Sequence, residues 1–136
     1  ACSGCDHCGL GAADCVYRDD MFELNPHLID ADLIVLSTPL YYFGFSAQLK
    51  LVIDRFYAIN SQLHSPRKAV LLAAAWNSND WTFPALAHHY ETLVRYMGWE
   101  DVGQILGTSC GTRSQTENTE FPRLAYELGK KVCARA

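Results

Sequence analysis

The chain has 136 residues, of which 49% are apolar and 19% are charged, and these values are typical of one globular domain rather than a disordered segment. Its net charge of −4 argues against a general electrostatic affinity for nucleic acid or for anionic membranes. The longest strongly apolar run, Ala69 to Trp76, is far shorter than the roughly 20 residues that cross a bilayer. We therefore expect a single domain, residues 1–136, without nucleic acid or membrane as a partner.

The first candidate functional segment is a cysteine-rich loop, residues 1–18. Four of the six cysteines follow the spacing C-x2-C-x2-C-x6-C, at Cys2, Cys5, Cys8 and Cys15. Clustered thiolates suit an iron–sulfur cluster or zinc, and unmetallated thiols are the third alternative. Because four cysteines lie so close together, a bracing disulfide framework is not expected. The pattern favours a reducing compartment, and we expect a cytoplasmic protein.

A helix and a strand are predicted after this loop. Asp20 can cap the helix and Glu23 lies three residues further on, whereas Pro26 predicts that the helix is short, kinked or restarted. The continuously apolar run Leu33-Ile34-Val35-Leu36 follows. Such a run predicts a strand that is buried on both faces, as in a parallel sheet.

The next segment, residues 38–44, is predicted to be a loop because it contains Pro39 and Gly44. Ser46 is placed to cap an amphipathic helix after it. The apolar residues of that helix follow the helical spacing i, i+3, i+4, i+7, i+8: Leu49, Val52, Ile53, Phe56 and Tyr57.

The second half of the chain repeats the alternation of strand and helix. A buried strand is predicted at residues 69–74, followed by a polar loop and a helix that Gly98 ends in a left-handed conformation. A third strand is predicted at residues 102–106, and a last helix from about Thr119. Alternating elements of this kind predict an α/β fold with a parallel sheet and right-handed crossovers.

Five ordered motifs carry a resemblance to a known family. Besides the cysteine loop they include Asp19-Asp20-Met21, Ala31-Asp32-Leu33-Ile34-Val35, Thr38-Pro39-x-Tyr41, and Phe43-Gly44-x-Ser46-Ala47-x-Leu49-Lys50 with Asp54-Arg55. On these motifs the chain resembles the flavodoxin-like NADPH-dependent FMN reductases, and within them the iron–sulfur flavoproteins.

The resemblance implies a flavodoxin-like doubly wound parallel sheet with the strand order 2-1-3-4-5. Members of the family normally begin with a strand, a phosphate-binding loop, a helix and a second strand, all of which precede the cysteine loop. The chain lacks this N-terminal β-α-β portion and is expected to correspond to the C-terminal part of the domain, with a further segment upstream.

The resemblance also implies the cofactors and their sites. FMN would be lined by Thr38, Pro39, Leu40, Tyr41, Tyr42, Phe43 and Gly44, and by Ala75 and Trp76 after the next strand. Both segments follow strand ends, where open α/β sheets bind ligands, although a structural turn is the alternative for the first and core or interface packing for Trp76. All four loop cysteines would hold a [4Fe-4S] cluster.

Other titratable residues are expected to be structural. His88 and His89 are adjacent on a helix and cannot form a facing ligand pair, and Asp54 and Arg55 are expected to form an ion pair at a helix end or a subunit contact. Cys110 and Cys133 are expected to be packing residues. No spacing identifies a catalytic residue.

The expected function is that of an FMN-dependent oxidoreductase that passes electrons from NAD(P)H, or from a protein donor, through the flavin to a small-molecule or protein acceptor. A homodimer or homotetramer is implied by the family. The alternatives are a non-catalytic electron carrier and a metal-binding interaction module with a vestigial flavin cleft.

Overall fold

The computed structural model describes residues 1–134 of the protein. Within that range the strands are β1 (Leu33–Pro39), β2 (Lys68–Ala74) and β3 (Glu100–Gly107). The helices are α1 (Met21–Asp30), α2 (Ala47–Arg55), α3 (Asn60–Leu63), α4 (Pro84–Met97), α5 (Arg113–Glu117) and α6 (Phe121–Cys133). Two short 3-10 helices, Gly9–Gly11 and Phe56–Ile59, lie in the cysteine loop and after α2.

The three strands form one parallel sheet in the order β1-β2-β3. In the middle of the sheet Leu36 lies beside Leu71, which lies beside Gln104. The crossovers run through α2 and α3 and then through α4. The α/β fold and the parallel sheet that the alternating pattern predicts are confirmed.

The core lies on the sheet face that α2 and α4 cover. Its members are apolar side chains of the strands, of the helices and of the connecting turns: Ile34, Leu36, Ile53, Phe56, Leu63, Leu71, Leu86, Tyr90, Val94, Met97 and Trp99. Burial of each large side chain contributes roughly 1.5–3 kcal/mol to folding. This core holds β1, β2 and α2 together, and the ends of these elements position the candidate sites.

The predicted burial of the first strand on both faces is wrong. On β1, Ile34, Leu36 and Thr38 are buried on the core face, whereas Val35 on the opposite face is 47% exposed. The reason is the strand's position, because β1 is at the edge of the described sheet and α6 packs against β3 instead. A continuous apolar run specifies a strand, but it does not specify how many of its faces are covered.

The first helix also differs from the prediction. Asp20 makes no capping hydrogen bond, and Asp19 takes that role by accepting a hydrogen bond from the Met21 N–H at 3.2 Å. Pro26 lies inside α1 without ending it. A helix tolerates a proline when the rest of its hydrogen bonds and its packing compensate for the one missing donor.

The later helices follow their predicted signals closely. The Ser46 hydroxyl caps α2 by accepting a hydrogen bond from the Leu49 N–H at 3.3 Å. Gly98 ends α4 with φ 70°, a left-handed conformation that favours glycine. The last helix begins at Phe121, two residues after the predicted start, and Phe56 and Tyr57 lie beyond α2 in the 3-10 helix.

Among residues 1–134 there is no helix with the length and apolar character that crossing a membrane requires.

Candidate functional site

The loops after the three strands meet at the carboxyl edge of the sheet. The Leu40 N–H donates to the Ala74 carbonyl at 2.8 Å, and the Ala75 N–H donates to the Gly107 carbonyl at 2.8 Å. The Cys110 N–H donates in turn to the Ala75 carbonyl at 2.7 Å. These bonds place both predicted flavin segments at one edge, where open parallel sheets bind their ligands.

Thr38 is buried, and its side chain holds the first loop rather than facing solvent. Its hydroxyl accepts a hydrogen bond from the Ser46 N–H at 2.9 Å and donates to the Pro39 carbonyl at 2.8 Å. Residues 39–45 are therefore closed into a loop whose ends are tied together. Pro39 is exposed at the end of β1, and Leu40 is half-buried.

The tip of this loop is a tight turn from Tyr41 to Gly44. The Gly44 N–H donates to the Tyr41 carbonyl at 3.1 Å. The two central residues, Tyr42 and Phe43, have positive φ values of 44° and 65°, which cost roughly 1–2 kcal/mol per residue when the residue is not glycine. Strain of this kind clusters at functional sites, and here it leaves Tyr42 100% exposed.

Five exposed aromatic side chains surround this edge, and we call them the aromatic rim: Tyr41, Tyr42, Phe43, Trp76 and Trp81. The rings of Phe43 and Trp81 lie 5.5 Å apart at an interplanar angle of 55°, so the loops after β1 and β2 contact each other. Trp76 is 79% exposed. Aromatic faces presented to solvent at a strand-end cleft suit a flat, partly polar ring such as an isoalloxazine.

Trp76 is seated against the loop that follows β3. A Cβ atom on Gly111 would lie 2.3 Å from the Trp76 Cδ1 atom, so the ring occupies the space that a side chain would take. Beside it lies a cavity of about 280 Å³ lined by Trp76, Asn77, Ser78, Ser109 and Gln115. The third strand-end loop thus contributes to the same edge.

The cysteine loop lies at the other end of α2. Cys8 is buried, Cys15 is half-buried, and Cys2 and Cys5 are exposed, all with free thiols. The loop packs on the 3-10 helix Phe56–Ile59 and on α3. Burial raises the pKa of the Cys8 thiol, and the charges of Cys15, Cys2 and Cys5 raise it further.

The donor set can be tested against the two candidate metals. Among residues 1–134 no three His, Cys, Asp or Glu side chains are grouped as a single metal ion requires. A structural zinc site needs four ligands around one ion, whereas each thiolate of a four-iron cluster binds a different iron. The described residues therefore show no preformed metal site at the loop, and the four cysteines remain candidate ligands on their sequence spacing alone.

Two contacts hold the cysteine loop in place. The Tyr57 hydroxyl donates to the Asp6 carboxylate, and this hydrogen bond raises the pKa of Tyr57 to about 12. Arg55 donates to both carboxylate oxygens of Asp19, at 2.6 and 3.2 Å. Arg55 is the last residue of α2 and Tyr57 lies two residues beyond it, so the end of this helix positions the loop and the segment that follows it.

The remaining polar candidates take separate structural roles. Asp54 forms an ion pair with Lys50, one turn earlier in α2, and Arg55 forms one with Asp19. Asp54 and Arg55 therefore have different partners instead of pairing with each other at the helix end. Both histidines are exposed, but His89 packs edge-on against Phe45 with ring centroids 4.9 Å apart, whereas His88 lies 3.8 Å from the Glu91 carboxylate. The two histidines do not face each other, as predicted.

The two cysteines outside the loop also differ from each other. Cys110 is buried and its thiol donates to the Thr108 carbonyl at 3.2 Å, which is consistent with packing. Cys133, for which packing was also expected, is exposed near the end of α6.

A comparison with protein families decides the classification. The family model of the NADPH-dependent FMN reductases matches residues 4–109. The chain belongs to this family. The match includes all three strands, both predicted flavin segments, and Cys5, Cys8 and Cys15.

Individual relatives support the FMN reductase classification and the resemblance to iron–sulfur flavoproteins. An iron-sulfur flavoprotein of Methanocaldococcus jannaschii is 32% identical over 139 aligned positions, which cover 96% of this chain and 72% of that protein. An iron-sulfur flavoprotein of Archaeoglobus fulgidus is 50% identical over 58 residues, which cover 43% of this chain and 29% of that protein. In three such relatives the matched segment spans only 24% or 29% of their own length.

Solved structures show the fold that this FMN reductase family member shares. The Trp repressor binding protein of Bacillus subtilis superimposes with a TM-score of 0.62 and 24% identity, over 83% of this chain and 68% of that one. A flavone reductase superimposes with a TM-score of 0.60 and 17% identity, over 86% of this chain and 45% of that one. The predicted flavodoxin-like fold is confirmed.

Sequence reasoning missed part of the arrangement in this FMN reductase family member. The sequence pattern does not place Trp81 at the aromatic rim, and it does not show the contacts of Gly111 and Arg55. No local signal identifies these three residues, because each contacts a residue distant in sequence. The Trp81 ring packs on Phe43, Gly111 leaves room for Trp76, and Arg55 donates hydrogen bonds to Asp19.

Proposed function

We propose that this chain is part of an FMN-dependent oxidoreductase with two redox sites. FMN would bind at the aromatic rim, and a [4Fe-4S] cluster would bind Cys2, Cys5, Cys8 and Cys15. Electrons would come from NAD(P)H or from a protein donor and would pass to a small-molecule or protein acceptor.

The observation that carries the proposal is the position of α2 between the two sites. Its first turn is tied to the flavin loop by the hydrogen bond between Thr38 and Ser46, and its last residue, Arg55, holds the segment after the cysteine loop through Asp19. The helix runs from Ala47 to Arg55, and the nine steps from its cap Ser46 to Arg55 correspond to about 14 Å along its axis. One rigid element therefore fixes the distance between both candidate centres.

The side chains at the rim would bind and orient the flavin. Bound FMN supplies hydride acceptance and one-electron transfer. Tyr42 and Trp76 offer aromatic faces, while the strained turn keeps Tyr42 away from the core. Thr38 and Gly111 support these aromatics from behind, because the first ties the loop closed and the second leaves room for Trp76.

The cysteine loop would supply four thiolates to the cluster. Clusters of this type are held by cysteine thiolates, with potentials that depend on nearby charge and on hydrogen bonds to sulfur. Burial of Cys8 and partial burial of Cys15 would shield one side of the cluster, whereas Cys2 and Cys5 are exposed.

We further propose a cytoplasmic homodimer or homotetramer. All six cysteines are free, which suits a reducing compartment. Exposed aromatic side chains such as Tyr42 and Trp76 are the kind of residue that interfaces bury. Analytical ultracentrifugation of the purified protein would measure the assembly, and a monomer would contradict this part of the proposal.

The decisive experiment is anaerobic purification followed by visible absorption spectroscopy with iron, sulfide and FMN assays. We expect flavin bands, a broad cluster absorbance, and four iron and four sulfide per chain. Cys8→Ser should lose the iron and keep the flavin, whereas the matched variant Cys133→Ser should keep both. Oxidation of NAD(P)H is then followed with the wild-type protein.

Each other outcome selects one of the alternatives. Flavin without iron would leave a plain FMN reductase with structural or redox-active thiols. Flavin and iron without oxidation of NAD(P)H would indicate an electron carrier or a protein donor. A protein with iron or zinc but without flavin would support the metal-binding interaction module, and a colourless, metal-free protein would contradict the proposal.

A further inference from the structure

A second cavity lies at the amino edge of the sheet, opposite the carboxyl edge that carries the aromatic rim. Its volume of about 670 Å³ is within the range typical of sites for small ligands. Strand β2 separates the two edges by about 20 Å, at about 3.3 Å per residue. The starts of the three strands and the end of α6 line the cavity, among them Leu33, Arg67, Trp99, Glu100, Val132 and Cys133.

Hydrogen bonds hold the wall of this cavity in place. The Glu100 N–H donates to the Arg67 carbonyl at 2.8 Å, which ties the start of β3 to the residue before β2. The Trp99 indole N–H donates to the Leu63 carbonyl at 2.8 Å, and the side chains of Trp99 and Val132 are both buried. The cavity is therefore preformed, with an aromatic and an aliphatic surface that suit the apolar body of a ligand.

Arg67 contributes a buried positive charge to the same wall. It is 8% exposed, and its guanidinium carbon lies 6.0 Å from the centroid of the Trp99 ring. Within residues 1–134 no carboxylate forms an ion pair with Arg67. Carbonyls in the last turn of α1 offset part of its charge. All the acceptors of its hydrogen bonds are neutral, namely the carbonyls of Leu28, Ile29 and Gln62 and the hydroxyl of Ser65.

The guanidinium also keeps one donor unused. The Nε atom of Arg67 is buried and has no hydrogen-bond partner among the described residues. Buried N–H groups in native proteins nearly always have an acceptor, and a buried charge without a counter-ion is costly. Arg67 therefore lacks both an acceptor and an anion. A ligand with a negatively charged oxygen in the cavity would supply both.

The other charged groups of the cavity lie nearer to solvent. Asp32 and Glu100 are exposed, and Lys68 is half-buried. Solvent and salt screen exposed charges much more than buried ones. Arg67 therefore has the stronger influence on the charge of a bound ligand, although the two carboxylates limit its affinity.

We propose that this cavity is a second ligand site, for a small molecule with an apolar body and one carboxylate or other oxyanion. The body would pack on Trp99 and Val132, and the anionic group would lie beside Arg67. Cys133 lines the cavity from an exposed position at the end of α6, and its thiol is free. The site shares no residue with the two proposed redox sites, so it does not depend on the proposed function.

The test is isothermal titration calorimetry of the protein in excess FMN, with 2-naphthoate as the anionic probe and 2-naphthamide as its neutral counterpart. We expect 2-naphthoate to bind about tenfold more tightly than 2-naphthamide. Cys133→Trp adds a large side chain at the cavity and should weaken binding of 2-naphthoate about tenfold or more. The control Thr92→Trp adds the same ring at an exposed position of α4 outside the cavity, and should leave the affinity unchanged.

A second measurement uses the wild-type protein alone and decides the test if Cys133→Trp does not fold. Bound 2-naphthoate should slow the alkylation of Cys133 by iodoacetamide several-fold, as followed by peptide mass spectrometry. An unchanged alkylation rate, or equal affinity in the wild type and in Cys133→Trp, would locate binding elsewhere and overturn the site. Equal affinity for the two probes would overturn the anionic ligand, and no binding of 2-naphthoate would overturn the whole inference.

Discussion

The Thr38 hydroxyl accepts a hydrogen bond from the backbone N–H of Ser46 at 2.9 Å, and both residues are buried. This bond closes the loop of residues 39–45 and connects the end of β1 to the start of α2. Because a buried N–H without an acceptor is costly, Ser46 depends on Thr38 rather than on water. The loop of residues 39–45, the candidate flavin loop, and the N-terminus of α2 should therefore respond together to a change at Thr38.

Replacing Thr38 by valine should destabilise the protein and weaken FMN binding. Thr38→Val keeps the shape but leaves the Ser46 N–H unsatisfied, at a cost of about 1–3 kcal/mol. Urea denaturation and FMN titration would measure both effects. The control Thr38→Ser keeps the hydroxyl and should stay near the wild-type values. Equal stability of the valine and serine variants would show that this bond does not hold the loop.

Tyr42 should show a trade-off between stability and FMN binding. Its φ of 44° is unfavourable for tyrosine, whereas asparagine adopts the left-handed conformation more readily. Tyr42→Asn should therefore raise the free energy of unfolding by up to about 1 kcal/mol. It should also weaken FMN binding by a few-fold to about tenfold, because one aromatic face is lost.

The control for this variant is Tyr126→Asn, which removes an exposed tyrosine from α6. It should leave FMN affinity unchanged and should not raise stability. A Tyr42→Asn variant that binds FMN like the wild type would remove Tyr42 from the site and leave its strained turn without a functional explanation.

The elements that could be predicted from the sequence are those with local signals. The second strand is an apolar run in the middle of the sheet, and helix α4 has apolar side chains at helical spacing with Gly98 at its end. The candidate flavin loop is predicted because it follows a strand and because its motif resembles that of a family. In each case the signal lies within a few residues of the feature that it specifies.

The features that could not be predicted depend on residues distant in sequence. The exposed face of β1 depends on which element packs beside it, as Val35 shows. Arg55 follows Asp54 directly and yet pairs with Asp19, which is 36 residues away. The positive φ of Tyr42 is equally hidden, because the sequence signals for such turns are glycine and asparagine rather than tyrosine.

Adding a side chain at Gly111 should displace Trp76. In Gly111→Ala the new Cβ would lie 2.3 Å from the Trp76 Cδ1 atom, so the ring must move. We expect a changed near-ultraviolet circular dichroism spectrum and FMN binding that is several-fold weaker. Gly129→Ala is the control, because no heavy atom lies within 4 Å of its added Cβ in α6. That variant should gain about 0.5–1 kcal/mol of stability and keep its FMN affinity.

An unchanged spectrum in Gly111→Ala would mean that Trp76 does not rest on this loop. An altered spectrum with wild-type FMN affinity would instead place the Trp76 ring outside the flavin site.

The free energy of unfolding should depend on pH through His89, which packs on Phe45. Partial burial holds the pKa of His89 below its usual 6.5, and Lys50 lowers it further against the opposing effect of Asp54. The unfolded chain therefore binds a proton more readily than the folded one. The contribution of neutral His89 is present above pH 6.5 and is lost as the pH falls through the lower pKa of the folded state.

Substituting His89 should remove this part of the acid destabilisation. When the pH is lowered from above 6.5 to well below it, the free energy of unfolding of His89→Gln should fall by less than that of the wild type. Urea denaturation at both pH values would measure the two changes. His88→Gln is the control, because it removes the neighbouring imidazole, which lies 3.8 Å from Glu91, and keeps the contact between His89 and Phe45. If His89→Gln and His88→Gln lose equal stability on acidification, groups other than His89 cause the loss of stability in this pH range. The packing of His89 on Phe45 would then not depend on the charge of His89.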